Sequence, residues 1–520
     1  MSITRRTLLK LLAATPALKA AQIFGADQRL PPIQTGPFKG TLESLRAYRV
    51  PEWFRDAKFG IWAHWGPQSA TEYGDWYARN MYIQGQWQYE HHVKTYGHPT
   101  KFGFKDIIPT WKADKFDADY LMSLYKQAGA KYFVSMGVHH DNFDLWDSKH
   151  TRWNSVRMGP RKDIVGLFRR AAVKHGLRFG VSEHLAMSYK WFSVSHGSDK
   201  QGPLANVPYD GADPRYADFY HDIKEVYVNL EWNLDHTSEA FKRHWYLRIR
   251  DLVDKYQPDI LYTDGEIPFG EWGLNQAANL YNLSAKRHQG RVEAVQLSKK
   301  REGCAAGTCV MDVERGVVEN IWPAPWQSDT CVGNWHYLKG VAYKTPKMVI
   351  DMLVDIVSRN GNLLLNFPLP NNGMLDAEEL KILSAITAWM RTNGEAIFST
   401  RPWRIYGAGP STQPIASGDA KFNESKRREL THEDVRFTRK GPTLFAFFMG
   451  WPASGELTIA PLASEGAQAV GKIREIELLG HRGQLRWAQD ANGLHVRLPV
   501  ERPGAHAFAL KIHGLSLSQV

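Results

Sequence analysis

The sequence contains only three cysteines among its 520 residues. Three cysteines cannot form the disulfide framework of a small secreted domain, and no Cys-x-x-Cys spacing suggests a zinc site. Cys304 and Cys309 are close enough in the chain to pair if the protein is exported, because oxidising compartments permit disulfides. Cys331 would then be left over.

Long hydrophobic runs are also absent. The apolar segment at residues 11–14 is too short to span a bilayer, which takes about 20 apolar residues. The mean hydropathy of -0.42 argues against multiple spans. We therefore do not expect an integral membrane protein. A hydrophobic content of 43% is that of a globular chain, and its length predicts two domains or a large barrel with an appendage.

The net charge is +11, but no long basic block accompanies it. Four of the basic residues lie within residues 1–20, and the remaining +7 is spread along the chain. Nucleic-acid binding requires a clustered patch or motif, so we do not predict it. Neither GxGxxG nor GxxxxGK[ST] follows a predicted strand, so the chain has no nucleotide loop of these types. We expect no cofactor.

Residues 1–26 have the pattern of an export signal. A basic start with Arg5 and Arg6 precedes the short apolar segment, and an alanine-rich stretch at 17–26 is the expected cleavage region. The run TRRTLLK resembles the twin-arginine signal, with Leu8 where phenylalanine is usual. We expect a bacterial protein that is periplasmic or secreted. The alternative is a chance basic amphipathic start.

Helical and apolar strand patterns alternate from about residue 50 to residue 392, which predicts parallel strands covered by helices. The predicted helices are 114–130, 163–176, 238–256, 275–288, 346–358 and 376–392. The predicted strands are 59–65, 131–138, 178–184, 259–265, 291–297, a weaker candidate at 316–321, and 361–366. An open doubly wound sheet is the alternative to a barrel, and no nucleotide loop supports it.

The expected fold class is α/β: a (β/α)8-like barrel followed by a C-terminal antiparallel β-sandwich. We place the catalytic barrel at 27–406, a polar linker at 407–433 and the sandwich at 434–520. Short strand patterns in the last region recur every ten to fifteen residues with turn residues between them, which is typical of a sandwich.

Polar residues end the predicted strands, at the edge where barrel active sites are built. His64, His139, His140, His184 and Asp264 all occupy such positions. A neutral histidine offers one donor and one acceptor to a pair of hydroxyls, so this set suits a polyol. Taken alone, Asp264 before Gly265 also fits a simple turn.

Several long motifs make the chain resemble the α-L-fucosidases of glycoside hydrolase family 29. The resemblance runs from about residue 40 to the C-terminus. The matching stretches are 53–66 (WFRDAKFGIWAHWG), 128–132 (AGAKY), 139–149 (HHDNFDLWDSK), 153–155 (WNS), 357–366 (VSRNGNLLLN), 389–403 and 478–480 (LLG).

The resemblance implies a retaining exo-glycosidase that cleaves terminal α-L-fucosidic linkages of a fucosylated glycan or polysaccharide. Its nucleophile would be Asp264, in the motif Tyr262-Thr263-Asp264-Gly265. The further residues that we assign to substrate binding are His64, Trp76, His139, His140, His184 and Tyr262. We expect no metal. The linkage, the leaving glycan and the oligomeric state stay open.

The acid/base residue is less well fixed by the resemblance. Glu314, 50 residues after Asp264, matches the spacing best. Some family members carry a glutamate directly after a tryptophan that Trp326 matches, and here that position is Gln327. Asp329, Glu302 and Glu293 remain alternatives.

Other departures affect the sugar specificity more than the reaction. The usual Lys-His-His-Asp-Gly-Phe is Val138-His-His-Asp-Asn142-Phe, and the usual Glu-Trp-Tyr begins with Asp75. Because of these departures, a fucose-binding protein without catalysis is an alternative function. A metal-dependent barrel hydrolase is a weaker one, since a His-x-His on the first strand is missing and no strand plainly supplies a bridging lysine.

Overall fold

The computed structural model describes residues 30–299, 301–412, 422–426, 428–465 and 471–515. The predicted export signal at 1–26 lies outside these ranges. Within them, no helix combines the length and the apolarity needed to cross a membrane.

Eight parallel strands close into a barrel in the order of the chain, with the last strand paired to the first. This confirms the predicted fold class of the catalytic region. The strands are β1 Phe59–Ala63, β2 Tyr132–Val138, β3 Arg178–Glu183, β4 Ile260–Thr263, β5 Val295–Ser298, β6 Val310–Glu314, β7 Trp326–Cys331 and β8 Gly361–Asn366.

Helices follow most of the strands and cover the outside of the barrel. Asp117, Asp163, Ser238 and Asp376 cap four of the long helices by accepting a backbone N–H in the first turn. The helices are α1 Leu42–Leu45, α2 Glu52–Ala57, α3 Tyr77–Asn80, α4 Trp87–Thr95, α5 Phe104–Ile107, α6 Ala118–Gln127, α7 Ile164–Lys174, α8 Ser188–Trp191, α9 Ala217–Tyr220, α10 Glu239–Tyr256, α11 Glu271–Arg287, α12 Arg301–Ala305, α13 Pro346–Ser358 and α14 Ala377–Asn393.

The prediction of a sixth strand at 316–321 is wrong. Those residues are irregular, and the connection 315–325 contains no helix. The strands of this region are β6 and β7, which carry the buried polar residues Asp312, Gln327 and Asp329. A search for apolar runs misses such strands, because several of their buried side chains are polar.

The C-terminal region is an antiparallel sandwich, as predicted. A five-stranded sheet has the order β13-β16-β11-β10-β9, and a three-stranded sheet has the order β12-β15-β14. Both sheets contribute to a separate apolar core that includes Phe437, Phe448 and Leu494. The strands are β9 Arg401–Ala408, β10 Val435–Lys440, β11 Thr443–Phe448, β12 Glu456–Ile459, β13 Glu475–Leu478, β14 Arg486–Asp490, β15 Gly493–Arg497 and β16 Phe508–His513.

The five-stranded sheet begins earlier in the chain than the sequence indicates. β9 pairs with β10, although its residues fall mostly in the predicted barrel range 27–406. Part of the predicted linker at 407–433 also returns to the barrel. There the N–H of Phe422 donates to the carbonyl of Glu314 at 2.9 Å, and the N–H of Glu424 donates to the carbonyl of Arg315 at 3.0 Å.

A buried ion pair joins the two domains. Nε of Arg436, on β10, lies 2.5 Å from Oδ1 of Asp355, on α13, and both side chains are almost fully buried. The indole N–H of Trp389, on α14, donates to the carbonyl of Ala507 at 2.7 Å. The sandwich is therefore packed against the barrel through these polar contacts and through Phe445, Phe447 and Met449, which belong to the apolar core of the barrel.

Candidate active site

A cavity of about 1040 Å³ opens at the carboxyl ends of the barrel strands. This is the end at which the active sites of such barrels lie. Every site residue predicted from the sequence lines it: His64, Trp76, His139, His140, His184, Tyr262, Asp264 and Glu314. The cavity is therefore the candidate active site.

Asp264 directly follows β4, and its backbone N–H donates to the carbonyl of Glu183 at 3.1 Å. Gly265 has a φ of 102°, which lets the chain turn sharply after the aspartate. The carboxylate is held from two sides. Oδ2 lies 3.3 Å from Nε2 of His140 and 3.2 Å from Nδ1 of His184, and Oδ1 lies 2.9 Å from Nζ of Lys299.

These neighbours keep Asp264 ionised. Burial alone would raise the pKa of the carboxyl, but Lys299, His184 and His140 outweigh burial and hold the pKa well below its usual value. An ionised carboxylate in a partly desolvated cavity is the state required of a nucleophile.

Lys299 joins Asp264 to Glu314. It follows β5, its backbone N–H donates to the carbonyl of Gly265 at 2.7 Å, and its ammonium group also contacts Oε2 of Glu314. The second ion pair is shorter than the first, so the nearest carboxylate oxygens of Asp264 and Glu314 lie less than about 6 Å apart. Carboxyl pairs of retaining glycosidases are about 5–5.5 Å apart and those of inverting enzymes about 6.5–9.5 Å.

The pKa of Glu314 is shifted in the opposite direction from that of Asp264. Burial raises the pKa of its carboxyl, Asp329 and Asp264 raise it further, and Lys299 opposes them without cancelling the rise. Two carboxyls whose pKa values are driven apart are the usual arrangement of an acid beside a nucleophile. The geometry thus favours Glu314 as the proton donor.

A second acidic pair lies beneath the cavity. The hydroxyl of Tyr262 donates across the barrel to Oδ2 of Asp329 at 2.9 Å, and Nζ of Lys299 is 3.9 Å from the same oxygen. The pKa of the neighbouring Asp312 is raised well above its usual value by burial and by Asp329. Asp312 therefore carries a proton.

The rings of His64 and His139 are held neutral and are oriented by amides. Nδ1 of His64 lies 3.3 Å from Oδ1 of Asn366, and the amide N–H of Gln68 donates to Nδ1 of His139 at 3.0 Å. Burial and neighbouring histidines lower the pKa of both rings well below the usual value. The neutral imidazoles of His64 and His139 can pair with sugar hydroxyls. Nδ1–H of His140 donates to the carbonyl of His184 at 2.6 Å, which orients that ring.

Trp76 projects toward this group from a left-handed backbone conformation with a φ of 62°. Its ring centroid lies 6.4 Å from that of His140. Trp62 lies deeper, 4.1 Å from the His64 ring and 4.7 Å from the Tyr262 ring. The flat rings surround the histidines with surfaces suited to the apolar faces of a sugar.

Asp75 belongs to a pair that the sequence did not indicate. Its Oδ1 lies 2.5 Å from Nδ1 of His336, a buried residue in the connection after β7. The ring of His336 is 4.8 Å from that of His139. Trp335 lines the cavity beside it. Neither Asp75 nor His336 directly follows a strand, so a search for polar residues at the ends of strands could not find them.

The structure also separates the alternative acid/base candidates. Glu293 precedes β5 at the far end of the barrel and pairs with Arg178 at 3.2 Å. Glu302 and Asp329 line the cavity, but Asp329 is fully buried under Lys299. Lys299 itself was missed, although the strand-end rule applied to β5 would have found it.

Four sets of described side chains have metal-ligand geometry, and three of them include cavity residues: His64 with His139 and His184, Asp75 with His139 and His336, and His140 with His184 and Asp264. The set that includes Asp264 already has a cation, because the ammonium of Lys299 is 2.9 Å from Asp264. That charge repels a metal ion at the same carboxylate. The arrangement disfavours the metal-dependent hydrolase.

A closed parallel barrel with an ionised carboxylate, a second carboxyl of raised pKa and a ring of neutral histidines and indoles defines the class of glycoside hydrolases. Comparisons with known proteins agree. The family model described as alpha-L-fucosidase matches residues 28–395, and the model described as alpha-L-fucosidase C-terminal domain matches residues 427–513. The chain belongs to the α-L-fucosidase family.

Curated relatives and solved structures cover nearly the whole chain. The human tissue alpha-L-fucosidase is 27% identical over 526 residues, which covers 98% of this chain and 96% of that protein. The human plasma alpha-L-fucosidase is 28% identical and covers 89% of this chain and 88% of that protein. The Thermotoga maritima alpha-fucosidase in complex with fucose is 25% identical, with a TM-score of 0.68 over 91% of this chain and 99% of that one.

Proposed function

We propose that the protein is a retaining exo-glycosidase that hydrolyses terminal α-L-fucosidic linkages of a glycan. The observation that carries this proposal is the bridge from Asp264 through Lys299 to Glu314. Both carboxyl groups contact the same ammonium nitrogen, and two neighbouring carboxyl groups support the proposal of a double displacement. Family membership supplies the sugar class.

In the first step the carboxylate of Asp264 attacks the anomeric carbon. The bond from that carbon to the glycosidic oxygen breaks, and Glu314 gives its proton to the departing oxygen. The products are a glycosyl ester of Asp264 and the free alcohol of the leaving sugar. Lys299 stays between the two carboxylates and balances the charge that Glu314 gains.

In the second step Glu314 acts as a base. It takes a proton from a water molecule, whose oxygen attacks the anomeric carbon as the ester bond to Asp264 breaks. Both carboxyl groups return to their starting protonation states. Two inversions give net retention of configuration.

Product stereochemistry tests this proposal. Proton NMR during hydrolysis of an aryl α-L-fucoside should show α-L-fucose first and β-L-fucose only as mutarotation proceeds. A β product formed first would remove Asp264 from the nucleophile role. Asp264→Ala should lower kcat by at least about a thousand-fold while fucose binding, measured by calorimetry, persists.

The fucose-binding protein without catalysis is the competing function. It predicts that the wild-type protein binds fucose but hydrolyses no α-L-fucoside in a panel of aryl and disaccharide substrates. Asp144→Asn is unsuitable as a control because that residue is structural, whereas Asp218→Asn on the exposed surface is a matched one. It should leave both binding and turnover unchanged.

We further propose that residues 1–26 direct twin-arginine export to the periplasm or beyond. The Arg5-Arg6 pair motivates this proposal, and the Cys304–Cys309 disulfide is compatible with an oxidising destination. Replacing both arginines by lysine should retain the full-length precursor in the cytoplasm. Fractionation that finds the double variant still exported and processed would contradict the proposal.

A further inference from the structure

Phe422 lies beside the proposed acid/base residue although it comes from the segment that precedes β10. Its backbone N–H donates to the carbonyl of Glu314 at 2.9 Å, and its side chain lines the cavity. The residue is 53% exposed. A phenyl ring at the mouth of a cavity is available to stack on a ligand.

The segment that carries Phe422 is anchored to the end of β6. Asn423 accepts the N–H of Val317 at 3.1 Å and donates to the carbonyl of the same residue at 2.9 Å. Glu424 lies 2.8 Å from Nζ of Lys344, and the hydroxyl of Thr330 donates to it at 2.6 Å. These contacts fix the position of Phe422 relative to Glu314.

The backbone of Phe422 is itself unusual, with a φ of 52°. A bulky residue seldom adopts this left-handed conformation, and it persists where the surrounding structure imposes it, often at binding sites. Here the backbone bond to Glu314 and the anchors on Asn423 impose it. In this conformation Phe422 lines the cavity.

The departing sugar must lie on the Glu314 side of the cavity. Oδ2 of Asp264 faces His140 and His184, whereas Oδ1 faces Lys299 and, beyond it, Glu314. The acid has to reach the glycosidic oxygen, so the bond that breaks points toward Glu314. Phe422 lies on that side, because its backbone N–H donates to the carbonyl of Glu314, and Glu266, Arg301 and Glu302 line the same cavity.

We propose that Phe422 is the platform on which the departing sugar stacks, through the apolar C–H face of an uncharged pyranose. The inference rests on the proposed function, since it concerns the other half of the same substrate. Glu266, Glu302 and Arg301 give the cavity both acceptors and donors for the hydroxyls of an uncharged sugar. Phe422 lies between the two matched ranges 28–395 and 427–513, so the platform is a feature of this chain outside both family models.

Two substrates with the same fucosyl group separate the two halves of the site. α-L-Fucosyl fluoride has no second ring and reports only on the fucose-binding half and the catalytic carboxyls. Disaccharides in which α-L-fucose is linked to galactose or to N-acetylglucosamine report on both halves. Phe422→Ala should lower kcat/KM for the preferred disaccharide about ten-fold, mainly through KM, and change that for the fluoride less than about two-fold.

Matched variants complete the design. Phe422→Trp should restore activity on the disaccharide, because it keeps a flat ring. Tyr120→Ala removes a ring of similar exposure, 47%, from α6 outside the cavity, and should change neither substrate. If Phe422→Ala does not fold, as judged by its thermal melt, Phe422→Leu keeps the apolar bulk and should show the same selective loss.

If kcat/KM fell equally for the fluoride and the disaccharides, in a variant that melts like the wild type, the proposal would be overturned. Phe422 would then support Glu314 and not the departing sugar. Unchanged kinetics on every disaccharide would overturn it as well. If the wild-type protein hydrolysed neither the fluoride nor the disaccharides, that result would contradict the proposed function instead.

Discussion

The ammonium nitrogen of Lys299 lies 2.9 Å from Oδ1 of Asp264 and contacts Oε2 of Glu314 at the same time. One buried cation thus sets the ionisation of both carboxyl groups. The pKa of Lys299 is held well above its usual value because the charges of Asp264 and Glu314 outweigh the effect of burial. The ammonium group therefore stays charged throughout the range in which the carboxyls titrate.

Lys299→Met removes this charge and keeps the length of the side chain. Lys299 lowers the pKa of Asp264 and that of Glu314, so both values should rise in the variant. The acidic and the basic limbs of kcat/KM against pH should both move to higher pH on an aryl α-L-fucoside. Lys381→Met, on the exposed face of α14, is the control. Limbs that stay in place would contradict the role of Lys299.

Replacement by asparagine should affect the pH profile of kcat/KM differently at Asp329 and at Asp312. Asp329 raises the pKa of Glu314, so Asp329→Asn should move the basic limb to lower pH. Asp312 already carries a proton, and Asp312→Asn replaces a neutral group by one of equal shape. Its profile should match the wild type. If Asp312→Asn moved the basic limb and Asp329→Asn did not, under the same conditions, the protonation assigned to Asp312 would be contradicted.

Glu183→Gln should stabilise the protein at alkaline pH. Burial raises the pKa of this carboxyl from 4.5 to about 7. The folded state then binds a proton more tightly than the unfolded state, so this contribution to stability is complete below pH 4.5 and is lost as the pH rises toward 7. The total loss is at most about 3 kcal/mol.

Glutamine can still accept the N–H groups of Trp245 and Leu185 that now reach Oε2 of Glu183. Denaturant unfolding at pH 8 should therefore favour the variant, whereas the two proteins should differ little at pH 4.5. Glu378→Gln, at an exposed position of α14, should change neither value. An equal difference at both pH values would show that the carboxyl of Glu183 is not the titrating group.

Asp144→Ala should be among the most destabilising single changes. Asp144 and Arg248 are both fully buried, with Oδ1 2.5 Å from Nη2. Removal of the carboxylate leaves a buried guanidinium without its counterion, which costs about 3–5 kcal/mol in the free energy of unfolding. Asp218→Ala breaks a half-exposed pair with Arg152 and should cost less than about 1 kcal/mol in the same denaturant titration.

The sequence predicts those parts of the site that follow apolar strands. His64, His139, His184 and Asp264 each come directly after such a strand, and the structure places all four in the cavity. Site residues on strands of polar sequence are not predicted in this way. β7 is buried throughout yet consists largely of polar residues, so no hydrophobic pattern marks it.

Contacts between distant segments are beyond any local pattern. His336 reaches Asp75 across 261 positions, and Phe422 reaches Glu314 across 108. Neither relationship has a periodicity or a turn signal that a single sequence could reveal. The boundary of the C-terminal sheet was misjudged for a similar reason, because β9 is recognised as part of that sheet only by its pairing with β10.

The buried ion pair between Arg436 and Asp355 couples the thermal unfolding of the two domains. If the sandwich unfolded first, the carboxylate of Asp355 would lose its buried contact with Arg436, although it would keep its contact with Arg359 on the same helix. Neither half can therefore unfold without a penalty to the other. Calorimetry should record one cooperative endotherm for both domains, which makes the sandwich part of the enzyme's folding unit and not a detachable module.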